Sequence, residues 1–238
     1  MNSETICSEL LPKLDQSRAL LMTNESRAMT DVTPIYRQHS PVVDAIPVVV
    51  SMPHSGMHAP SEIGQLFTAQ QRNWLRNTDW YLPQLYDFLV GLGVTVIEAT
   101  HSRYVVDLNR DPAGDLFGEF RSAVIAKEND HGDAVYAIAP SQQSLMQRLA
   151  RYHAPYHNTL DEVLNAVAER FGSVLLLDLH SFMGPIDNDV CLGDRGGISC
   201  APEIAARDFF LLTLCCYALR SCSRPSRDRS RQSAYLLQ

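Results

Sequence analysis

The chain predicts a three-layer α/β fold on a mainly parallel, mixed sheet, and three observations carry that reading. Short runs of Val, Ile and Leu at 46–50, 94–98 and 174–179 have the length and β-branched character of strands. Segments of helical spacing lie between them, and alternating strand and helix builds parallel sheets with helices on both faces. Three apolar runs also lead straight into polar motifs: Pro53-His54-Ser55-Gly56, Asp107-Leu108-Asn109-Arg110 and Asp178-Leu179-His180-Ser181. In open α/β sheets, ligands bind beyond the carboxyl ends of the strands, so these motifs point to one rim.

The elements follow in order. Residues 1–33 are polar, lack a sustained period and contain a second start at Met29, which predicts either a flexible extension with a short helix around 10–22 or an over-extended gene start. A strand at 46–50 gives way to a loop marked by Pro53, Gly56 and Pro60. A helix is expected over 61–74 with Ser61 as N-cap. A second fits 80–92, where Leu82, Leu85, Tyr86, Leu89 and Val90 form a stripe that stops at Gly91 or Gly93. Strands are expected at 94–98 and 104–108, then a loop over 112–140 that could serve as a lid. Residues 141–171 read as helix interrupted at Pro155, and 174–179 as the most apolar strand. This makes 34–205 the main domain.

From 206 the character changes. An apolar block at 209–219 precedes Arg220, Arg224, Arg227, Arg229 and Arg231 among serines, without strand-like alternation. An amphipathic helix with a disordered basic tail is expected over 206–238, and the abrupt shift also suits a truncated or frame-shifted reading frame.

Composition narrows the partners. The chain has 238 residues, of which 45% are hydrophobic, enough for one substantial globular domain with appendages. A formal charge of -7 argues against nucleic acid. No apolar stretch reaches the roughly 20 residues of a membrane span. Glu4, Glu9 and Asp15 interrupt any signal-peptide pattern, so a cytoplasmic protein is expected. The six cysteines form no zinc-binding spacing and read as reduced thiols.

The polar motifs suggest a metal facing an anion clamp. Pro53 and Gly56 define a tight turn presenting His54 at a strand end, against the alternative of a packed polar residue. His180 has a similar setting, and Asp178 two residues earlier shares its strand face and can orient the ring. Hydrolytic zinc sites take three protein ligands and keep one position for water. Asp79, which also suits a helix N-cap, is the preferred third ligand over Glu62 and His58. Arg110 offers a planar fork for a carboxylate and Asn109 an amide donor, while Arg103 can supply a second cation. Arg195, in a glycine-rich loop, is a further anion contact. His157 is the candidate catalytic histidine, the competing reading being a packing residue of a broken helix. Together these residues point to a small anionic substrate.

The stretches VVVSMPHSG (48–56), NTDWYLPQLYDF (77–88), SRYVVDLNR (102–110), YHAPYH (152–157), LLDLHS (176–181) and LGDRGGISCAP (192–202) are collinear, and through them the chain resembles the N-formylglutamate amidohydrolases of histidine degradation. The resemblance covers roughly 35–203. It implies a phosphorylase/hydrolase-like fold akin to zinc carboxypeptidases. It also implies that Asn109 and Arg110 grip a substrate carboxylate and that the Asp178-x-His180 motif supplies a metal ligand. The implied reaction is metal-dependent, with zinc expected, and hydrolyses N-formyl-L-glutamate to formate and L-glutamate. Two departures stand out. Met57 occupies the place where carboxypeptidase-like relatives carry a glutamate ligand, and no Gln-x-Glu-Leu-like strand follows Ala206. By analogy with the carboxypeptidases, that strand would bring the general base. The alternatives are a related metallo-amidase acting on another N-acyl amino acid, and a truncated, non-catalytic ligand-binding or decaying gene product.

Overall fold

The computed structural model describes residues 33–182, 190–193, 199 and 233–236. The chain divides into two units, 1–33 and 34–238, and the architecture below is that of the second. The helix expected at 10–22, the apolar block at 209–219 and Arg195 lie outside the described residues.

Six strands form one mixed sheet in the order β1-β3-β2-β6-β8-β7. At its centre, β2 (Val48–Met52) lies parallel to β3 (Thr95–Ala99) on one side and β6 (Leu175–Phe182) on the other. Val50 aligns with Val96 and Leu177, so the three apolar runs read as strands do pair. The edge strand β1 (Tyr36–His39) runs antiparallel to β3. Beyond β6, β8 (Ser233–Leu236) pairs antiparallel with β6 and parallel with β7 (Val190–Leu192). This corrects the tail expected to hold no strand. Four residues are too few for alternation to show, and the register comes from β6.

Period-two alternation divides the core between the two faces of the sheet. Val49, Ile97 and Ala99 face Tyr156 and Leu160 and the buried residues 104–106. Val50, Met52, Val96 and Leu179 face the opposite layer, where Leu82 packs with Tyr86, Leu89 and Val90. Three layers result, as predicted.

Several elements differ from their expected form. The helix over 61–74 is two short ones, α1 (Ser61–Gly64) and α2 (Ala69–Asn73), with Pro60 and not Ser61 at the first N-cap. Thr68 caps α2 by accepting from the Gln71 amide at 3.2 Å, and its own amide donates to the Val135 carbonyl. The bond to Val135 competes with helix propagation. The 80–92 helix is a single α-turn, α3 (Leu82–Leu85), followed by a 3₁₀ helix (Asp87–Leu92) that ends on Gly93 at φ 89°. Leu85 leaves the expected stripe and is exposed.

Residues 104–108 are not a strand. They form an irregular segment buried under the sheet, and their apolar character reflects burial alone. Nor is 112–140 a free lid. Its β4 (Phe117–Gly118) and β5 (Ile125–Ala126) pair in parallel, and Val124, Ile125 and Val135 are fully buried.

The long helical stretch is α4 (Gln142–Arg148), capped by Ser141, then a π-helical turn (Leu149–His153), then α5 (Ala154–Phe171). The break falls just before Pro155, whose missing N–H cannot continue the ladder. No helix of the described residues is long and apolar enough to cross a membrane.

Candidate active site

Chain direction brings His54, Asp79 and His180 together. His54 follows β2 in a turn pinned by the Ser55 hydroxyl, which donates to the carbonyls of Met52 and Ala99. A Cβ at Gly56 would sit 2.3 Å from the His101 carbonyl oxygen, so only glycine allows this close approach. His180 lies near the end of β6, the strand parallel to β2. Asp79 sits on a connection bracketed by two non-glycine residues in the left-handed region, Asn77 (φ 57°) and Tyr81 (φ 62°). Its amide donates to the His54 carbonyl at 2.9 Å, which locks that connection to the histidine turn.

The three side chains offer ligand atoms within 4.8 Å of one another, and all three residues are buried. Their surroundings match what ligating histidines require. His54 Nε2 donates to Asp107 Oδ1 at 2.7 Å, leaving Nδ1 for another partner. His180 Nδ1 faces Asp79 Oδ2 at 3.2 Å while Nε2 meets Asp178 Oδ2 at 3.2 Å. A carboxylate on the outer nitrogen fixes the tautomer and aim of a metal-bound imidazole. Two nitrogens and one carboxylate oxygen form a donor set suited to a zinc-like ion with one open position. The cluster can hold a metal ion. Glu62 and His58, the rival ligands, do not join it: Glu62 pairs with Arg151 and His58 packs edge-on against His101.

Asp107 organises the second side of the site. Nearly fully buried, it accepts from His54, from Arg103 Nη2 at 2.6 Å and from the Asn109 amide at 2.9 Å. Burial alone would raise its pKa, but His54 and Arg103 hold it far below the ordinary carboxylate range. Burial and the Arg103 charge push His54 down against the pull of Asp107. Asp79 is also lowered, since its bond to His180 and the nearby imidazoles outweigh desolvation. His180 goes the other way. Burial opposes its charge, yet Asp178 and Asp79 raise its pKa to about 9.

That asymmetry predicts a pH effect on the metal-free protein. A histidine raised from 6.5 to about 9 on folding stabilises fully below pH 6.5 and loses that contribution as pH rises through 9. His54, Asp79 and Asp107 are all shifted down, so they titrate below this window. The melting temperature of chelator-treated protein should fall by roughly 5 °C or more between pH 6.5 and 9.5. A flat profile there would refute the buried ion pair.

The expected anion contacts occupy the neighbouring segment. Asn109 Nδ2 lies 3.1 Å from His180 Nε2. Arg110 donates through Nη1 to the Asn109 carbonyl, and its buried Nε has no partner among the described residues. Arg103 is committed to Asp107, stacks 4.6 Å from the Phe120 ring centroid and places Nη1 3.4 Å from His54 Nδ1. His157 sits apart from the metal-competent cluster and donates from Nε2 to the Leu108 carbonyl at 2.7 Å. Sequence reasoning missed Asp107 as the partner of His54 and Arg103, and Ser181, which donates to Asp79 at 2.9 Å. The only signal was their position inside motifs already chosen for their neighbours.

Comparisons with known proteins bear on the family and the fold. The sequence model of the N-formylglutamate amidohydrolase family matches residues 46–211. An N-formylglutamate deformylase of Pseudomonas aeruginosa is 36% identical over 173 residues, 68% of this chain and 64% of that protein. One of Pseudomonas putida is 34% identical over 172 residues, with the same coverage of 68% and 64%. The chain therefore spans just under two thirds of the length of these relatives. A crystal structure of N-formylglutamate amidohydrolase from Ralstonia eutropha superposes with a TM-score of 0.64 at 24% identity, covering 86% of each chain. A gene product of Agrobacterium tumefaciens gives 0.55 at 17% identity, covering 69% of this chain and 66% of that one. Both structural likenesses bear on the fold.

Proposed function

The chain belongs to the N-formylglutamate amidohydrolase family, and from that premise we propose that it hydrolyses N-formyl-L-glutamate to formate and L-glutamate with a divalent metal, zinc by its donor set. The observation that carries this reading is the buried convergence of His54, Asp79 and His180 beside Asn109 and Arg110. The mixed sheet with helices on both faces supports a phosphorylase/hydrolase-like architecture of the zinc carboxypeptidase kind.

Bound by these three residues, the metal would lower the pKa of a water and polarise the formyl oxygen. Asp107 and Asp178 keep the two imidazoles aimed inward through their outer nitrogens. Arg110, whose buried Nε has no partner among the described residues, binds one carboxylate of the substrate, and the Asn109 amide adds a donor beside it. Arg103 contributes the second positive charge from its ion pair with Asp107. A dianion matches two guanidinium groups on one segment, and excluding water around them strengthens both contacts.

Formate release by purified protein, with and without added divalent metal, tests the function. Turnover should require metal and should favour N-formyl over N-acetyl glutamate. Full-rate hydrolysis by metal-free protein would overturn the mechanism. Arg110→Ala should raise KM by about 30-fold or more, the loss of a charge-assisted carboxylate contact, with a smaller change in kcat. Steady-state kinetics decide it; an unchanged KM would remove Arg110 from the clamp.

A further inference from the structure

The segment from Tyr104 to Arg110 raises an accounting question, because buried carbonyls outside a sheet need other donors. Side chains supply them. The Tyr104 carbonyl accepts from the Tyr136 hydroxyl, itself bound at 2.7 Å by Arg148 Nη1. At the other end, His157 Nε2 donates to the Leu108 carbonyl at 2.7 Å and His153 Nε2 to the Arg110 carbonyl at 3.0 Å. Those two carbonyls bracket Asn109. The substrate-gripping residues thus hang from a helical segment and gain no support from strand pairing.

The π-helical turn explains how two histidines reach one short segment. It runs through His153 and hands over to α5, which carries His157 one turn later. The rings lie 4.4 Å apart between centroids and 30° from parallel, so each limits the other's rotation. His153 is 5% exposed, and burial lowers its pKa, which favours the neutral ring with its proton on the donating Nε2. Among the described residues, no hydrogen bond joins either ring to His54, Asp79 or His180. One residue of helical slip would move both donors off their carbonyls.

We propose that His153 and His157 are positioning residues, whose Nε2 atoms hold the Leu108 and Arg110 carbonyls and so set where Asn109 and Arg110 meet the substrate's carboxylate. This rests on the proposed amidohydrolase reading and adds to it a determinant of substrate affinity outside the metal cluster. Because the histidines act through the backbone that carries Asn109 and Arg110, their first effect is on substrate binding. The double bracket also gives the Tyr-His-x-x-Tyr-His pattern at 152–157 a physical purpose that ligand or acid–base roles do not need.

The test compares His153→Phe and His157→Phe with His153→Gln and His157→Gln, in which the amide keeps a donor. The Phe variants should raise KM for N-formyl-L-glutamate about 5–30-fold, the loss of one buried hydrogen bond, with kcat within about threefold and metal content unchanged. The Gln variants should recover most of that loss. Combined with Arg110→Ala, the Phe substitutions should be non-additive, since both act on one contact. A large fall in kcat at constant KM, with one limb of its pH profile lost, would mean proton transfer and overturn the proposal; so would additivity. Wild-type protein that hydrolyses nothing would sink the parent reading alone. Amide exchange at 108–110 would then decide: faster exchange in the Phe variants supports the bracket, and unchanged exchange refutes it.

Discussion

Asp107→Ala should cost about 3–5 kcal/mol of folding stability, the scale for removing one partner of a buried charge pair. The carboxylate is nearly fully buried and serves three donors: the His54 imidazole, the Arg103 guanidinium and the Asn109 amide. Its removal leaves a cation without a counter-charge in a place water reaches poorly. That cost is a large share of the roughly 5–15 kcal/mol that holds a domain together. Asp107→Asn keeps one acceptor oxygen and should fall between wild type and Ala. The folded pKa of Asp107 is depressed, so its stabilisation is complete at neutral pH and fades only as pH falls through that low value. Urea midpoints at pH 7 measure the effect. A loss below about 1 kcal/mol would show that solvent already compensates the pair, as at exposed ion pairs.

His180→Ala should lower kcat/KM by about 1,000-fold or more and release the metal. The ring is buried between two carboxylates and belongs to the only three-residue group with metal-ligand geometry among the described residues. Without it, Asp79 and His54 make a two-ligand site, too few for a tightly held zinc-like ion. Folding should weaken as well, because the deletion leaves the buried Asp79 and the Asp178 carboxylate without their imidazole partner. Metal content and formate release, measured on the same preparation, separate loss of the ion from loss of the fold. Activity within tenfold of wild type would end the metal reading.

The strands at β2, β3 and β6 were legible because each is a buried apolar run of the right length, and such runs have few other uses. The helix stop at Gly93 and the break before Pro155 were legible for equally local reasons: one residue tolerates a positive φ and the other lacks an N–H. Residues 104–108 have the same apolar composition and are no strand. Composition records burial but says nothing of where the backbone bonds go, and here Tyr136 and His157 take the Tyr104 and Leu108 carbonyls that a ladder would have used. The lid expected over 112–140 failed likewise, since its glycines and aspartates punctuate a segment whose Val124, Ile125 and Val135 are core.

By itself the sequence determined the layered α/β class, the central parallel strands and the candidacy of His54, Asp79 and His180 as ligands, because strand length, turn chemistry and ligand type are local properties, whereas their convergence is tertiary. Only the tertiary structure decided that Asp107 backs His54 and that His157 and His153 carry the Asn109–Arg110 segment. Those contacts join residues 53, 49 and 43 positions apart in the chain. Such distances are closed by packing, and no local pattern reports them.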